Sequence, residues 1–296
     1  ATRKPTQNKR TKSISKELDK FVVPTTLKKR ASLTWKPPQL ALLCNKPPRD
    51  THYVHELKFD GYRMQAILTK GEAHLWTRRG LDWTHRFSRI AQDLEAMGLD
   101  GLHVDGEIVV EDERGIADFS ALQMAIKHSD QSHLAFYMFD LFAVAGKDTT
   151  KLSLLERKEI LETLLKARNR SRDLRYSVHF ETAGDQMLEN VCRAGAEGII
   201  SKRKDKAVTQ GRNGDWLKSK CVNRQEFVIA GFVPSSASTK SIGSLVLGLY
   251  EDGKFVHVGR VGTGFSQELT RDLYRQLHAS RIMQSPFTDR LSGEAS

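Results

Sequence analysis

Lys58 is the residue most readily read as a reacting group. It lies in His55-Glu56-Leu57-Lys58-Phe59-Asp60-Gly61-Tyr62-Arg63. Alternating polar and apolar residues over 53–58 predict a strand. Asp60-Gly61 predicts a tight turn in which glycine takes a positive φ, and a second strand is expected over 63–69. Lys58 then ends a strand beside a sharp turn, with Glu56 two residues back on the same face. An amine so placed is a candidate nucleophile. A lysine ordinarily titrates at about 10.4, so neighbouring cations or partial burial must help it lose a proton. If its target is a phosphorus atom, it also needs carboxylates for a metal and cations for the phosphates. A base would need a flat surface on which to stack.

Each need has a counterpart further along. Asp105-Gly106-Glu107 lies on a strand expected over 102–110, so the two carboxylates share a face. Gly106 between them is expected to leave space for another group to approach the backbone. Glu197 opens Glu197-Gly198-Ile199-Ile200, read as a short buried strand. Such acids together suit Mg²⁺, a hard ion that prefers carboxylate and water oxygens. Trp216-Leu217-Lys218-Ser219-Lys220 places Lys218 and Lys220 on one strand face, where they repel unless an anion lies between them. Residues 201–224 hold eight Lys or Arg against Asp205 and Asp215, a basic region that also suits DNA phosphates. Phe139, just before Asp140 in the apolar run 135–144, is the candidate platform; stacking on a purine is worth about 1–3 kcal/mol. Arg78 ends the strand expected over 72–77. A hairpin lysine, a solvated basic strand and a core phenylalanine have the same local appearance, so only the occurrence of all the groups together sets the chemistry apart.

The elements that must position these groups are legible in outline. Lys70-Gly71 reads as a hairpin turn. Helices are expected over 86–97, ended by Gly98, and from Asp118, as N-cap, to about 127. Ser153-Leu154-Leu155-Glu156 is a capping box that opens a long amphipathic helix to about 167. A further helix over 185–194 stops at Gly195, and short strands follow at 198–202 and 216–221. From about 224 the character changes to strands separated by Gly, Ser and Asp turns, with a helix near 267–279. That pattern suits a small Greek-key barrel of the OB type. The expected organisation is a basic flexible arm over 1–36, a catalytic domain over 37–223 and an OB-type domain over 224–296.

The chain has 296 residues and a net charge of +11. Residues 1–36 contribute +9 of it, leaving +2 for the rest. A basic arm on a near-neutral globule points to a polyanion partner. Cys44, Cys192 and Cys221 are an odd count with no CxxC pair, which reads as reduced thiols with neither a disulfide framework nor a structural zinc site. No apolar run is long enough to span a membrane. The basic N-terminus lacks the apolar stretch of a secretory signal, so a cytoplasmic location is expected.

The pattern K-x-D-G-x-R at Lys58–Arg63 resembles the nucleotidyltransferase signature of ATP-dependent DNA ligases and mRNA capping enzymes. The ordered run that also takes in T-R-R-G, D-G-E, F-x-x-F-D, E-G-x-x-x-K and L-K-x-K resembles the catalytic domain of ATP-dependent DNA ligases. It covers about residues 38–265. ELKFDGYR, TRRGLDWT and GLYEDGKFVHVGRVGTGF are most similar to the ligase module of bacterial nonhomologous end-joining proteins. The resemblance implies an α+β fold. An ATP-grasp-like adenylation domain of antiparallel sheets with helices would precede a partial or truncated OB-fold barrel. It implies ATP as the nucleotide, AMP carried covalently on Lys58, and Mg²⁺ or Mn²⁺. Glu56 would read the adenine amino group, Arg63 and Glu107 would contact the ribose, and Phe139 would stack on adenine. Glu107 and Glu197 would serve the metal, Lys218 and Lys220 would hold the phosphates, and Arg78 would lie near the AMP and nick phosphates. Nicked or broken duplex DNA would be the substrate of a nucleoid-associated monomer, with Ku and a companion polymerase or nuclease as partners. Family members end their barrel with a further basic motif, and 285–296 (SPFTDRLSGEAS) shows no match to it. A truncated module with a weak first step, still able to seal adenylated ends, is therefore expected. RNA ligases and GTP-using capping enzymes share the first motif. NAD-dependent ligases carry a four-cysteine zinc module that three scattered cysteines do not supply. A non-catalytic OB-type nucleic-acid binder is the alternative outside enzymes.

Overall fold

The computed structural model describes residues 27, 29–221, 226–236, 238–251 and 253–287. Most of the expected basic arm, residues 1–26 and 28, lies outside the described residues, as do 288–296 of the tail. The chain forms two compact units, Ala1–Val222 and Asn223–Ser296.

In order, the first unit contains β1 (Leu42–Leu43), β2 (Tyr53–Leu57), β3 (Tyr62–Thr69), β4 (Glu72–Thr77), α1 (Ser88–Ala96), β5 (Leu102–Val110) and α2 (Phe119–His128). There follow β6 (Leu134–Val144), β7 (Lys147–Asp148), α3 (Leu154–Arg168), β8 (Leu174–Tyr176), β9 (His179–Phe180), α4 (Gly184–Ala194), β10 (Gly198–Arg203) and β11 (Trp216–Lys220). One sheet runs β4-β3-β5-β6-β7, with β8 beside β6; the other runs β1-β11-β10-β2-β9. Pairing is antiparallel except for β1 with β11 and β6 with β8. The fold is α+β.

The larger sheet carries the main core. Met64, Leu75, Val104, Ile108, Phe136 and Leu141 are buried with Ile90 and Leu94 of α1 and Leu161 and Leu164 of α3. Burying one such side chain stabilises by about 1.5–3 kcal/mol. Behind the smaller sheet, Met187 and Val191 of α4 pack on Ile199. Lys70 and Gly71, both at positive φ, turn β3 into β4. Asp118 caps α2 by accepting from Ala121 N at 3.0 Å, and Ser153 with Glu156 forms a capping box at the start of α3.

Four expectations change. Gly61 does not take a positive φ. It is required because a Cβ there would collide with Ile108 O and Val109 of β5. The space at Gly106 is filled by the Phe136 ring and Tyr137 O of β6, so it closes the sheet rather than admitting a ligand. Helix α3 is not simply amphipathic, because its buried positions include Arg157 and Lys158 alongside leucines. Nor are all three cysteines thiols. Cys192 at the end of α4 and Cys221 just after β11 form a disulfide with Cα atoms 5.3 Å apart, and only Cys44 is free. The fold brings together two residues that are 29 apart in sequence. Closing a loop of that length stabilises by roughly 3–4 kcal/mol through the unfolded chain. Cys192→Ser with Cys221→Ser is expected to lower the urea midpoint accordingly under non-reducing conditions. The loss should match that caused by dithiothreitol in the parent, and equal midpoints would refute it.

The second unit contains β12 (Val228–Ser235), β13 (Ser238–Glu251), β14 (Lys254–Val261) and α5 (Gln267–Ala279). The strands pair antiparallel in the order β12-β13-β14. Register shifts interrupt both pairings. Among the described residues this is an open sheet rather than a closed barrel.

Candidate active site

Cross-strand register assembles one wall of a cleft. Glu56 of β2, Ile200 of β10 and Lys218 of β11 lie opposite one another in a row. Val54, Lys202 and Trp216 form the next row. On the other side, Lys220 faces Gly198, and Lys58 N donates to Gly198 O at 2.9 Å. Residues two apart share a face, so two lysines near a strand end and two from β11 meet on one surface. Lys58 Nζ pairs with Glu197 Oε2, while Lys220 Nζ is 2.9 Å from Glu197 Oε1. Burial pushes the Glu197 carboxyl up, but its bonds to these two ammonium groups outweigh that and hold it below the usual range.

The facing wall comes from the larger sheet. Arg63 of β3 makes a bidentate bond to Asp105, with Nε 3.1 Å from Oδ1 and Nη2 2.6 Å from Oδ2. Its Nη1 donates to Gln39 O at 2.6 Å. The β5–β6 register slips between Asp105–Asp140 and Gly106–Met138, leaving Phe139 as the extra residue of a bulge. A bulge re-aims a side chain, and Phe139 lines the cleft. Its ring meets Trp216 edge to face, with centroids 5.9 Å apart. The Arg63 guanidinium carbon lies 5.2 Å from the Phe139 centroid. Glu107 also lines the cleft and, among the described residues, makes no hydrogen bond or ion pair. Burial pushes its carboxyl up to about 8 despite Arg63 and Lys58 nearby.

Of the residues singled out in the sequence, Glu56, Lys58, Arg63, Arg78, Glu107, Phe139 and Lys218 line this cleft. Glu197 and Lys220 stand at its edge, joined to Lys58 through the shared carboxylate. Burial and the charges of Lys220 and Lys58 lower the Lys218 ammonium. Asp105 is committed to Arg63 and is fully buried. Sequence reading passed over Trp216 and Lys202. Trp216 is two residues before Lys218, so the same alternation places it on the cleft face. Lys202 closes the E-G-x-x-x-K pattern, but its burial is tertiary: it is 2% exposed, with Nζ 4.3 and 4.2 Å from the Phe139 and Trp216 ring centroids.

Among the described residues no group of three or more His, Cys, Asp or Glu is arranged to hold a metal. Nor is any helix there long and apolar enough to cross a membrane.

Comparison with known proteins agrees with this arrangement. Residues 5–220 match the ATP dependent DNA ligase domain, and residues 238–296 match the ATP dependent DNA ligase C terminal region. The multifunctional non-homologous end joining protein LigD of Pseudomonas aeruginosa is 38% identical over 255 residues, covering 85% of this chain and 30% of that protein. The bifunctional non-homologous end joining protein LigD of Bacillus subtilis is 28% identical over 83% of this chain and 43% of that protein. The chain thus spans less than half the length of these curated relatives. The structure of mycobacterial DNA ligase D complexed with ATP and MES has a TM-score of 0.56 at 29% identity, covering 86% of this chain and 81% of that one. With both of its units matched in order, the chain belongs to the ATP-dependent DNA ligase family.

Proposed function

We propose that this chain is the adenylation and sealing module of a ligase that joins nicked or broken duplex DNA through an AMP carried on Lys58. The reading extends to double-strand break repair in the bacterial cytoplasm, at the nucleoid, beside Ku and a companion polymerase or nuclease. One observation carries it: the Lys58 amine stands at a cleft whose walls bring Glu107, Lys218, Phe139 and Arg63 together from remote parts of the chain.

Lys58 Nζ attacks the α-phosphorus of ATP. An N–P bond forms, the P–O bond to pyrophosphate breaks, and the ammonium gives up two protons over the step, keeping one N–H in the phosphoramidate. A DNA 5′-phosphate oxygen then attacks the AMP phosphorus; a P–O–P link forms as the N–P bond breaks, and the Lys58 amine regains its protons. Finally the 3′-hydroxyl loses its proton and attacks the 5′-phosphorus, forming the phosphodiester as the P–O bond to AMP breaks. Lys218 and Lys220, with Arg78, offset charge on the phosphates. Phe139 with Trp216 provides the stacking surface for adenine. Arg63 holds the ribose side. Glu56 and Lys202 lie below the base.

A divalent ion, Mg²⁺ or Mn²⁺, fits the donors. Glu107 is a half-buried carboxyl that makes no hydrogen bond or ion pair among the described residues, and Glu197, whose two oxygens are paired with Lys58 and Lys220, would share its carboxylate with the ion. Phosphate and water oxygens would complete the coordination. Bound there, the ion supplies positive charge against the phosphates.

Incubation with α-labelled ATP or GTP and a divalent ion, followed by a denaturing gel, tests the reading. ATP is expected to label the protein covalently, and GTP to leave it unlabelled. Equal labelling by GTP would indicate a capping-type enzyme. Salt-sensitive DNA binding with no covalent label would overturn the assignment.

A further inference from the structure

Behind the cleft lies a buried trio of charges. Glu56, 1% exposed, stands between two ammonium groups. Lys158, from α3 and 0% exposed, has Nζ 2.8 Å from Oε1 and donates to Ser177 O at 2.9 Å. Lys202, from β10, has Nζ 3.0 Å from Oε2, which also accepts from Ser177 Oγ at 2.8 Å. One carboxylate cannot fully neutralise two buried cations. Lys158 is enclosed on all sides, with the Tyr176 ring centroid 4.7 Å from its Nζ. Both contacts to Glu56 are ion pairs without an aligned hydrogen bond, but Lys158 Nζ has Ser177 O as an acceptor, whereas the buried Lys202 Nζ has none and its side chain lines the cleft. The excess positive charge therefore shows itself on the side where a ligand would sit.

If Lys158 were neutral, Glu56 would have one ammonium to satisfy it. Lys202 would then be drawn onto the carboxylate in a charge-assisted hydrogen bond and away from the two rings. We propose that Lys158 is a positioning residue for nucleotide binding: by pairing with Glu56 Oε1 it keeps the Lys202 ammonium incompletely paired and held against the Phe139 and Trp216 rings at the base side of the cleft. This rests on reading the cleft as the nucleotide site.

The electrostatics agree with the geometry. Burial brings the Lys202 ammonium down to about 8, with Glu56 opposing and Lys158 adding to the fall. The charged groups around it are Glu56 on β2, Lys158 on α3 and Asp140 on β6, with Asp105 on β5 further off and Arg63 on β3 against the same rings. Above about pH 8 Lys202 loses its proton, and the positive charge held against the two rings is lost. Removing the charge of Lys158 raises the Lys202 pKa, so this loss moves to higher pH.

The test follows covalent labelling of the whole chain by α-labelled ATP at a series of ATP concentrations and pH values. Lys158→Gln keeps a hydrogen-bond donor without the charge; Lys158→Met removes both. Both are expected to raise half-saturating ATP about tenfold near neutral pH. The maximal rate should stay within about threefold. The pH above which half-saturation weakens should rise by about one unit. A purely structural lysine predicts a parental Lys158→Gln with no movement of that break, and this result overturns the proposal. If either variant lacks a cooperative thermal transition, Ser177→Ala replaces it. Losing the hydroxyl leaves Oε2 to Lys202 alone and should raise half-saturating ATP in the same direction; an unchanged value overturns the proposal. Failure of the nucleotide reading itself would appear in the parent, as absence of label.

Discussion

Lys58→Ala is expected to abolish transfer of label from α-labelled ATP to the protein, a loss of at least roughly 10⁴-fold. Covalent attachment needs a nucleophile at this position, and the neighbouring lysines stand elsewhere about the cleft, Lys218 and Lys220 on β11 and Lys202 on β10. Lys220 is paired with Glu197, and Lys202 is buried against Glu56 and two rings. Lys58→Arg should fail equally, since a guanidinium keeps its proton at any working pH. Nucleotide affinity should fall far less, because the stacking rings, Arg63 and Lys218 are untouched. Sealing a nick whose 5′-phosphate already bears AMP should survive, because that step makes no bond to Lys58. Label at parental strength in Lys58→Ala, or equal loss of labelling and of sealing at preadenylated nicks, would refute the assigned role.

Arg157→Ala is expected to destabilise the first unit by about 3–5 kcal/mol near neutral pH. Arg157 and Asp140 are each 1% exposed at the side chain and form a bidentate pair, with Nε 2.6 Å from Oδ1 and Nη2 2.9 Å from Oδ2. Arg157 Nη1 also donates to Leu152 O and Lys206 O, at 2.7 and 2.9 Å. Truncation therefore strands a buried carboxylate and leaves both carbonyls without this donor. Burial pushes the Asp140 carboxyl up, but the Arg157 guanidinium outweighs it and holds it below its ordinary value. The pair's stabilisation is thus present above about pH 3.9, the unfolded value. It is lost as pH falls through the lower folded value. In Arg157→Ala the sign reverses: the stranded Asp140 titrates higher in the folded state, so acid relieves the variant while it weakens the parent. Urea denaturation should show the gap between the two beginning to narrow above about pH 3.9, as the variant gains, and narrowing further below it, as the parent loses. A gap under about 1 kcal/mol at neutral pH, or one that widens in acid, would contradict this account. Because Asp140 adjoins the bulge that presents Phe139, the variant should also bind ATP more weakly.

The residue pattern alone was enough for much of the local structure. Strand alternation put Glu56 with Lys58 and Lys218 with Lys220, and the caps at Asp118 and Ser153 marked where helices begin. These signals act over a few residues, through backbone geometry and nearby hydrogen bonds, so they survive without knowledge of the rest of the chain.

Other features exist only once distant segments pack. The register of β2 against β10 and β11 decides which lysines meet, and the β5–β6 slip aims Phe139. Gly61 is needed because β5 passes close by, not because its own φ is unusual. Lys158 and Arg157 lie on helix α3, yet both are buried because a carboxylate on a strand pairs with each, Glu56 of β2 and Asp140 of β6. Cys192 and Cys221 pair because α4 and β11 end side by side. A side chain's type and spacing set what it is able to do; its desolvation and partners come from parts of the chain far away in sequence. Those decide whether a lysine is a solvated surface charge, a hidden counterion or the amine that reacts.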